Sequence, residues 1–246
     1  MIAARESTSR RAFTAVVIDF FGTLTKSAST DAWSQAATAS AAPLGLPPEQ
    51  WRQALDASFA ERATGSLGDL SATFRELARR CGAEPSETAL AESCDARVKA
   101  QNALFLFRDD VPAALQALRE HGFRLGLLSD CTSELPVAWP HFAIAPYFDT
   151  AVFSCEEGLK KPNPDFFHLV CDRLGVTPAE CLYVGDGGSR ELTGAAAVGM
   201  TPLMLRAEDW SGNSAHDRED DWSGPEIASF TELAAMMTGG DDGESR

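Results

Sequence analysis

The sequence predicts an α/β protein, a doubly wound parallel sheet interrupted after its first strand by an inserted all-helical domain. Three observations carry that expectation. Short apolar runs recur at 14–18, 123–128, 151–153, 181–184 and 201–205, the signature of buried parallel strands. Helical spacing fills the intervals between them, and such alternation with right-handed crossovers builds a Rossmann-like sheet. Between about residues 29 and 105 the alternation stops and only helical periodicity remains.

Taken in order, Thr14-Ala-Val-Val-Ile18 is β-branched and apolar and ends abruptly at Asp19, followed by Gly22-Thr23. In the insert, Trp51, Leu55 and Phe59 recur every four residues, and Leu67, Leu70, Phe74 and Leu77 mark another face. Pro43, Pro47-Pro48, Gly65, Gly82 and Pro85 divide this region into about four helices. Val111, Leu115 and Leu118 give one helix face, which His121-Gly122 ends. The strand at 123–128 stops at Ser129-Asp130, and the short strand near 151–153 precedes a loop from Gly158 to Pro164. Phe166, Val170 and Leu174 align on a helix that leads to the strand at 181–184, which ends at Gly185-Asp186. A helix over 189–198, a strand over 201–205 and a helix over 230–237 complete the expectation. The core is thus assigned to 12–25 and 109–238 and the insert to 26–108, with disorder expected at 1–11 and 239–246.

Composition excludes several function classes. The 246 residues carry 21 Lys and Arg against 36 Asp and Glu, a net charge of −15. Residues 207–246 hold eleven acids against Arg218 and Arg246, so −9 of the total lies there. Nucleic-acid binding needs clustered basic residues, so none is expected. The run Asp217-Arg218-Glu219-Asp220-Asp221 reads as a solvated loop. No apolar run reaches the roughly 18 residues of a membrane span, and Arg5, Arg10 and Arg11 lack the apolar stretch of a signal peptide. With six cysteines and no C-x-x-C spacing, free thiols in a reducing cytoplasm are expected, as a monomer or homodimer. The four histidines are scattered, which argues against zinc.

In an open parallel sheet, ligands bind beyond the carboxyl ends of the strands. Asp19, Ser129 and Asp186 stand there, with Lys161 in a neighbouring loop between Lys160 and Pro162. Two carboxylates, a hydroxyl and an ammonium suit a doubly charged anion together with a hard cation such as Mg²⁺.

The segments VVIDFFGTL (16–24), LGLLSD (125–130), GLKKPNPDFF (158–167) and YVGDGGSRELTGA (183–195) resemble, in order and spacing, the four motifs of the haloacid dehalogenase superfamily. The helical insert resembles that family's C1-type cap. The resemblance implies a Mg²⁺-dependent hydrolase, most often a phosphatase, acting on a small phosphorylated metabolite. It casts Asp19 as the nucleophile, Ser129 as the hydroxyl that orients the phosphoryl group, and Lys161 as the cation joining nucleophile and phosphate, with Asp130 beside that phosphate site. Lys160 is expected to face solvent. Asp19, Asp186 and the backbone carbonyl of Phe21 are implied as metal ligands. Glu191 reads either as an acid acting through metal-bound water or as a solvated acid in a first helical turn. Within the segment Glu61–Ser66, which resembles the family's specificity loop, Arg62 is a candidate for a second anionic group on the substrate. Cys131 reads as packing.

One position departs from the phosphatase pattern. Phosphatases of this family carry an aspartate two residues after the nucleophile as proton donor, and here that residue is Phe21. General acid–base catalysis is worth about 10²–10⁴-fold, so the substitution weighs on the chemistry. A phosphatase can draw its proton from the substrate, from Asp130 or from the cap. A metal-independent haloacid dehalogenase needs no such proton, but members with that activity generally lack an Asp186-type ligand. A phosphonatase needs a cap lysine, and only Lys26 and Lys99 are near. A weakened binding or regulatory protein is the remaining alternative. Phosphatase is the preferred reading.

Overall fold

The computed structural model describes residues 13–209 and 217–239. The expectations for 1–11 and for 240–246 fall outside these residues. All six strands are parallel and run in the order β3-β2-β1-β4-β5-β6. Strand β1 (Ala15–Ile18) is wholly buried, as a strand flanked on both sides and covered on both faces must be. Its side chains alternate between two cores. Val16 and Ile18 join one, while Ala15 and Val17 join the other.

Five α-helices follow β1: α1 (Thr30–Thr38), α2 (Pro48–Ala57), α3 (Phe59–Ala63), α4 (Leu70–Arg80) and α5 (Glu87–Asn102). The expected four become five because the chain kinks at Ser58 and adds the single turn α3. Ser29, Asp69 and Ser86 accept from the backbone N–H three residues on and so cap α1, α4 and α5. These helices enclose a third core of their own around Trp51, Leu55, Phe74, Leu77 and Leu90. Trp51 donates its ring N–H to Ser40 Oγ at 2.8 Å there, which satisfies the polar end of a fully buried indole.

The chain returns through α6 (Val111–Glu120) to β2 (Arg124–Ser129), then α7 (Glu134–Ala138), β3 (Thr150–Phe153), α8 (Ser154–Glu157) and α9 (Pro164–Leu174). It crosses to the far side of β1 with β4 (Cys181–Gly185), α10 (Glu191–Ala197), β5 (Thr201–Leu205), the two-residue β6 (Glu226–Ile227) and α11 (Phe230–Thr238). Pro164 opens α9, where Asn163 Oδ1 accepts from Asp165 N, and Gly175 closes it in the left-handed conformation. Helix α10 starts at Glu191 and not at the expected 189, because Ser189 and Arg190 take left-handed backbone angles. β6 was not expected, since two residues carry no periodicity.

The register positions the site. Ile18 lies opposite both Leu127 and Val184, so Asp19 leaves its strand close to the ends of β2 at Ser129 and of β4 at Gly185. Successive connections run to opposite sides of β1, and that reversal opens a crevice at the carboxyl ends.

Candidate active site

Three carboxylates meet in the crevice. Asp19, Asp186 and Glu191 are all buried, and each offers an oxygen within 4.8 Å of the others. Lys161 lies among them, itself 2% exposed, with Nζ 2.6 Å from Asp19 Oδ1 and 2.6 Å from Glu191 Oε2. The Tyr183 hydroxyl donates to the same Glu191 oxygen at 2.7 Å and accepts from Lys161 Nζ at 3.2 Å. Two glycines make the crowding possible. A β-carbon on Gly22 would lie 2.4 Å from Asp186 Oδ2, and one on Gly185 would lie 2.2 Å from Glu191 Oε1. Gly22 also takes a φ of +71°, which side chains rarely adopt.

Arg108 fixes the loop after the nucleophile by donating to the carbonyls of Thr23 at 2.8 Å and Gly22 at 2.7 Å. On the other flank, Gly187 N donates to Glu191 Oε1 and Gly188 N to Asp186 Oδ1. Glu219 accepts from Leu192 N and Thr193 N and so caps α10. Arg218 Nη2 stands 3.3 Å from Asp186 Oδ2, with its side chain 3% exposed. The charge run around these two residues is therefore not simply a solvated loop. Arg218 and Glu219 turn inward, while Asp217, Asp220 and Asp221 remain exposed.

Burial dominates the electrostatics. It raises Asp19 to about 8, since Lys161 only partly offsets desolvation and Glu191 and Asp186 add repulsion. Burial and Glu191 likewise raise Asp186 to about 6, against the pull of Arg218. Desolvation alone would lower Lys161, but Asp19 and Glu191 outweigh it and hold the ammonium well above its usual range. A cluster of three acids and one adjacent ammonium, all oxygen donors on the acidic side, has the charge and hardness to take a divalent cation such as Mg²⁺.

Residues 13–199 match the sequence profile of the haloacid dehalogenase-like hydrolases. The chain belongs to that family. It is 34% identical over 151 residues to the glyceraldehyde 3-phosphate phosphatase of Methanopyrus kandleri, covering 60% of this chain and 64% of that protein. It therefore spans a little under two thirds of the length of that relative. In fold, it resembles the 2-haloacid dehalogenase of Pseudomonas syringae pv. Tomato DC3000 with a TM-score of 0.66 at 22% identity, over 90% of this chain and 96% of that one. It resembles a phosphatase of the same superfamily from Thermococcus onnurineus with a TM-score of 0.63 at 21% identity, over 92% and 99% of the two chains.

Above the carboxylates of this hydrolase lies a cavity of about 520 Å³. It is lined from the sheet side by Asp19, Phe21, Asp130 and Lys161, and from the helical side by Trp33, Arg62 and others. Phe21 packs edge-on against Phe20 and Trp33, with ring centroids 5.0 and 5.8 Å away. No carboxylate stands at its position. Asp130 Oδ1 accepts from Lys161 N at 2.9 Å, and burial raises its pKa despite Lys161. Ser129 is fully buried at the end of β2, and its Oγ has no hydrogen-bond partner among the described residues. It does not line the cavity, whereas Asp130, Cys131 and Thr132 do.

Arg62 lies on the short helix α3 and not in a loop, and it lines the cavity. Glu191 is fully buried, which removes the reading as a solvated helix acid. Cys131 is buried, with Sγ 3.9 Å from Cys155 Sγ, and Lys160 is half-buried. Sequence reasoning missed Tyr183, Arg108, Arg218 and Glu219. Tyr183 sits in an apolar strand where any aromatic reads as core. Arg218 left one signal, a lone base within an acidic run. No helix among the described residues is long and apolar enough to cross a membrane.

Proposed function

We propose that this hydrolase is a Mg²⁺-dependent phosphomonoesterase that cleaves a small phosphorylated metabolite through an aspartyl-phosphate on Asp19. The observation that carries the reading is the buried group of Asp19, Asp186 and Glu191 around Lys161. Halide displacement from carbon does not need such a set, whereas a dianionic phosphoryl group gains from a cation on each side. The phosphatase named in Methanopyrus kandleri supports the same substrate class.

In this reading Asp19, Asp186 and the carbonyl of Phe21 would hold Mg²⁺, with the Glu191 carboxylate beside them. The bound ion supplies charge neutralisation for the phosphoryl oxygens. The protein's own residues do the rest. Asp19 attacks phosphorus as a carboxylate nucleophile. Lys161 aligns that carboxylate and partly offsets the burial that disfavours its ionised form. Ser129 Oγ, unpartnered among the described residues, lies behind the cavity wall of Asp130 and Cys131, so it can donate to a phosphoryl oxygen only if that wall gives way on binding. Helices α1–α5 act as a cap over the carboxyl ends of the parallel strands and exclude water from the cavity. Because Phe21 cannot protonate the departing oxygen, turnover favours weakly basic leaving groups or a proton from Asp130.

A second reading rests on the aromatic wall at Phe21 and on the Arg218–Asp186 ion pair, which lessens the demand for a metal at Asp186. It is metal-independent dehalogenation of a 2-haloacid. Assays on p-nitrophenyl phosphate and on 2-chloropropionate, each with Mg²⁺ and with EDTA, separate the two. Phosphate release that EDTA abolishes is expected, and chloride release insensitive to EDTA would replace the phosphomonoesterase reading.

A further inference from the structure

Two pairs of free cysteines stand with their sulfurs close together. Cys131 Sγ lies 3.9 Å from Cys155 Sγ, and Cys171 Sγ lies 3.7 Å from Cys181 Sγ. The distances are alike, but the surroundings are not. Cys171 of α9 and Cys181 of β4 are both buried. Cys155 on α8 is partly exposed, and Cys131 lines the cavity above Asp19. The chemistry at Asp19 uses neither of these two thiols.

The fold builds the first pair. Strands β2 and β3 end on the paired residues Ser129 and Phe153, so Cys131 meets Cys155 two residues past each end. Ser154 extends the register beyond the sheet. Its buried Oγ accepts from Cys131 N at 2.9 Å and donates to the Cys131 carbonyl at 3.2 Å. Both segments also meet the helical cap. Three residues after Cys131, Glu134 Oε1 accepts from Arg97 Nε of α5 at 2.9 Å in a buried ion pair. Gly65 packs so tightly on the Cys155 carbonyl that a β-carbon would lie 2.0 Å from its oxygen. On the sheet side, Asp130, next to Cys131, accepts from Lys161 N at 2.9 Å. The thiols thus join two segments that touch both the cap and the backbone of the active-site lysine.

We propose that Cys131 and Cys155 form a redox-modification site, where a low-molecular-weight disulfide such as glutathione disulfide installs an intramolecular disulfide that slows turnover at Asp19. The partly exposed partner starts the exchange. Cys155 gives up its proton and its sulfur attacks the reagent RSSR, which forms Cys155–S–S–R and releases the first RSH with that proton. Cys131 then gives up its proton, and its sulfur attacks Cys155 Sγ and displaces the second RSH. Two thiols lose two electrons and two protons, and one RSSR becomes two RSH. Burial holds the Cys131 thiol well above its usual range, which suits it to the second step and not the first. Closing the bond draws the sulfurs from 3.9 Å to about 2.05 Å. Ser154 and the tight contact at Gly65 pass that shift to the cavity wall and the cap. Cys171 and Cys181 offer a reagent no exposed sulfur, so that pair stays reduced. The site requires only turnover at Asp19, whichever bond is cleaved there.

The full-length protein is treated with glutathione disulfide, and its peptides are mapped by mass spectrometry while hydrolysis of p-nitrophenyl phosphate is followed. The expected product is a peptide pair joined through Cys131 and Cys155, with Cys171 and Cys181 still reduced. Hydrolysis should fall at least about tenfold, within the range of an ångström-scale misplacement, and return with dithiothreitol. Cys155→Ser should form no link, match the parent's rate, and keep that rate after treatment. Where phosphate release is absent, chloride release from 2-chloropropionate serves as the readout, so the site is tested even if the phosphomonoesterase reading falls. Absence of the link, arrest at a Cys155–glutathione mixed disulfide, or a link that leaves turnover unchanged would each overturn the site. So would loss of activity in treated Cys155→Ser equal to that of the parent.

Discussion

Arg218 Nη2 lies 3.3 Å from Asp186 Oδ2, so a guanidinium already holds the carboxylate that a divalent cation would use. Cation and arginine compete for one oxygen. Arg218→Gln should therefore tighten Mg²⁺ binding by about three- to tenfold, the size of a partly offset charged hydrogen bond. Glu219 still caps α10 in this variant, so the loop keeps its anchor. Calorimetric titration with Mg²⁺ decides it, and weaker binding would mean that Arg218 serves to position Asp186.

Binding of the cation should also depend on pH, with a defined sign. Burial raises Asp186 to about 6 and Asp19 to about 8, and a protonated acid does not coordinate. Affinity for Mg²⁺ should accordingly climb as pH rises from about 6 to about 8, with proton release on binding. Stability of the metal-free protein runs the opposite way for these two groups. A raised folded pKa favours the native state below the unfolded value and loses that contribution as pH rises through the folded one. The rise in Tm caused by Mg²⁺ should therefore grow across the same window. A Tm increment that is flat with pH would exclude Asp19 and Asp186 as ligands.

How far the sequence discloses this site can be judged residue by residue. Asp19 and Asp186 were legible because each breaks an apolar strand at its carboxyl end, where a polar residue has no packing role. Lys161 stood out by its place in a four-motif resemblance. The fate of Glu191 was not legible, since a first-turn helix acid is solvated or buried depending on what faces it. Here Lys161 and Tyr183 face it. Arg218 and Glu219 were misjudged for a related reason. A run of five charged residues reads as uniform, but the chain turns two of them toward α10 and Asp186 through contacts far apart in sequence. Arg97 carried no signal either, because its burial depends on Glu134, 37 residues away on another helix.

Removing Lys161 should harm both activity and folding. Lys161→Met takes away the ammonium 2.6 Å from Asp19 and Glu191 and leaves buried carboxylates without their counter-charge. Breaking a buried pair in this way costs about 3–5 kcal/mol. The loss should be smaller in millimolar Mg²⁺, because a cation can partly replace the ammonium's field. Chemical denaturation with and without Mg²⁺ measures both quantities. Identical destabilisation in the two conditions would place the cation elsewhere.

Restoring a carboxylate at Phe21 tests whether proton transfer limits turnover. The ring is half-buried against Phe20, Trp33 and Phe105, so Phe21→Asp loses aromatic packing and some stability, readable as a lower Tm. In return the new acid stands two residues after Asp19, on the wall of the cavity. An alkyl phosphate has a strongly basic leaving oxygen, and its kcat/KM should rise by up to about 10²-fold, the lower end of general acid catalysis. With p-nitrophenyl phosphate, whose leaving group needs no proton, the change should be small. The ratio between the two substrates isolates protonation from any general loss caused by repacking. If both fall in parallel, Asp130 or the substrate already supplies the proton, and Asp130→Asn should then depress the alkyl phosphate selectively.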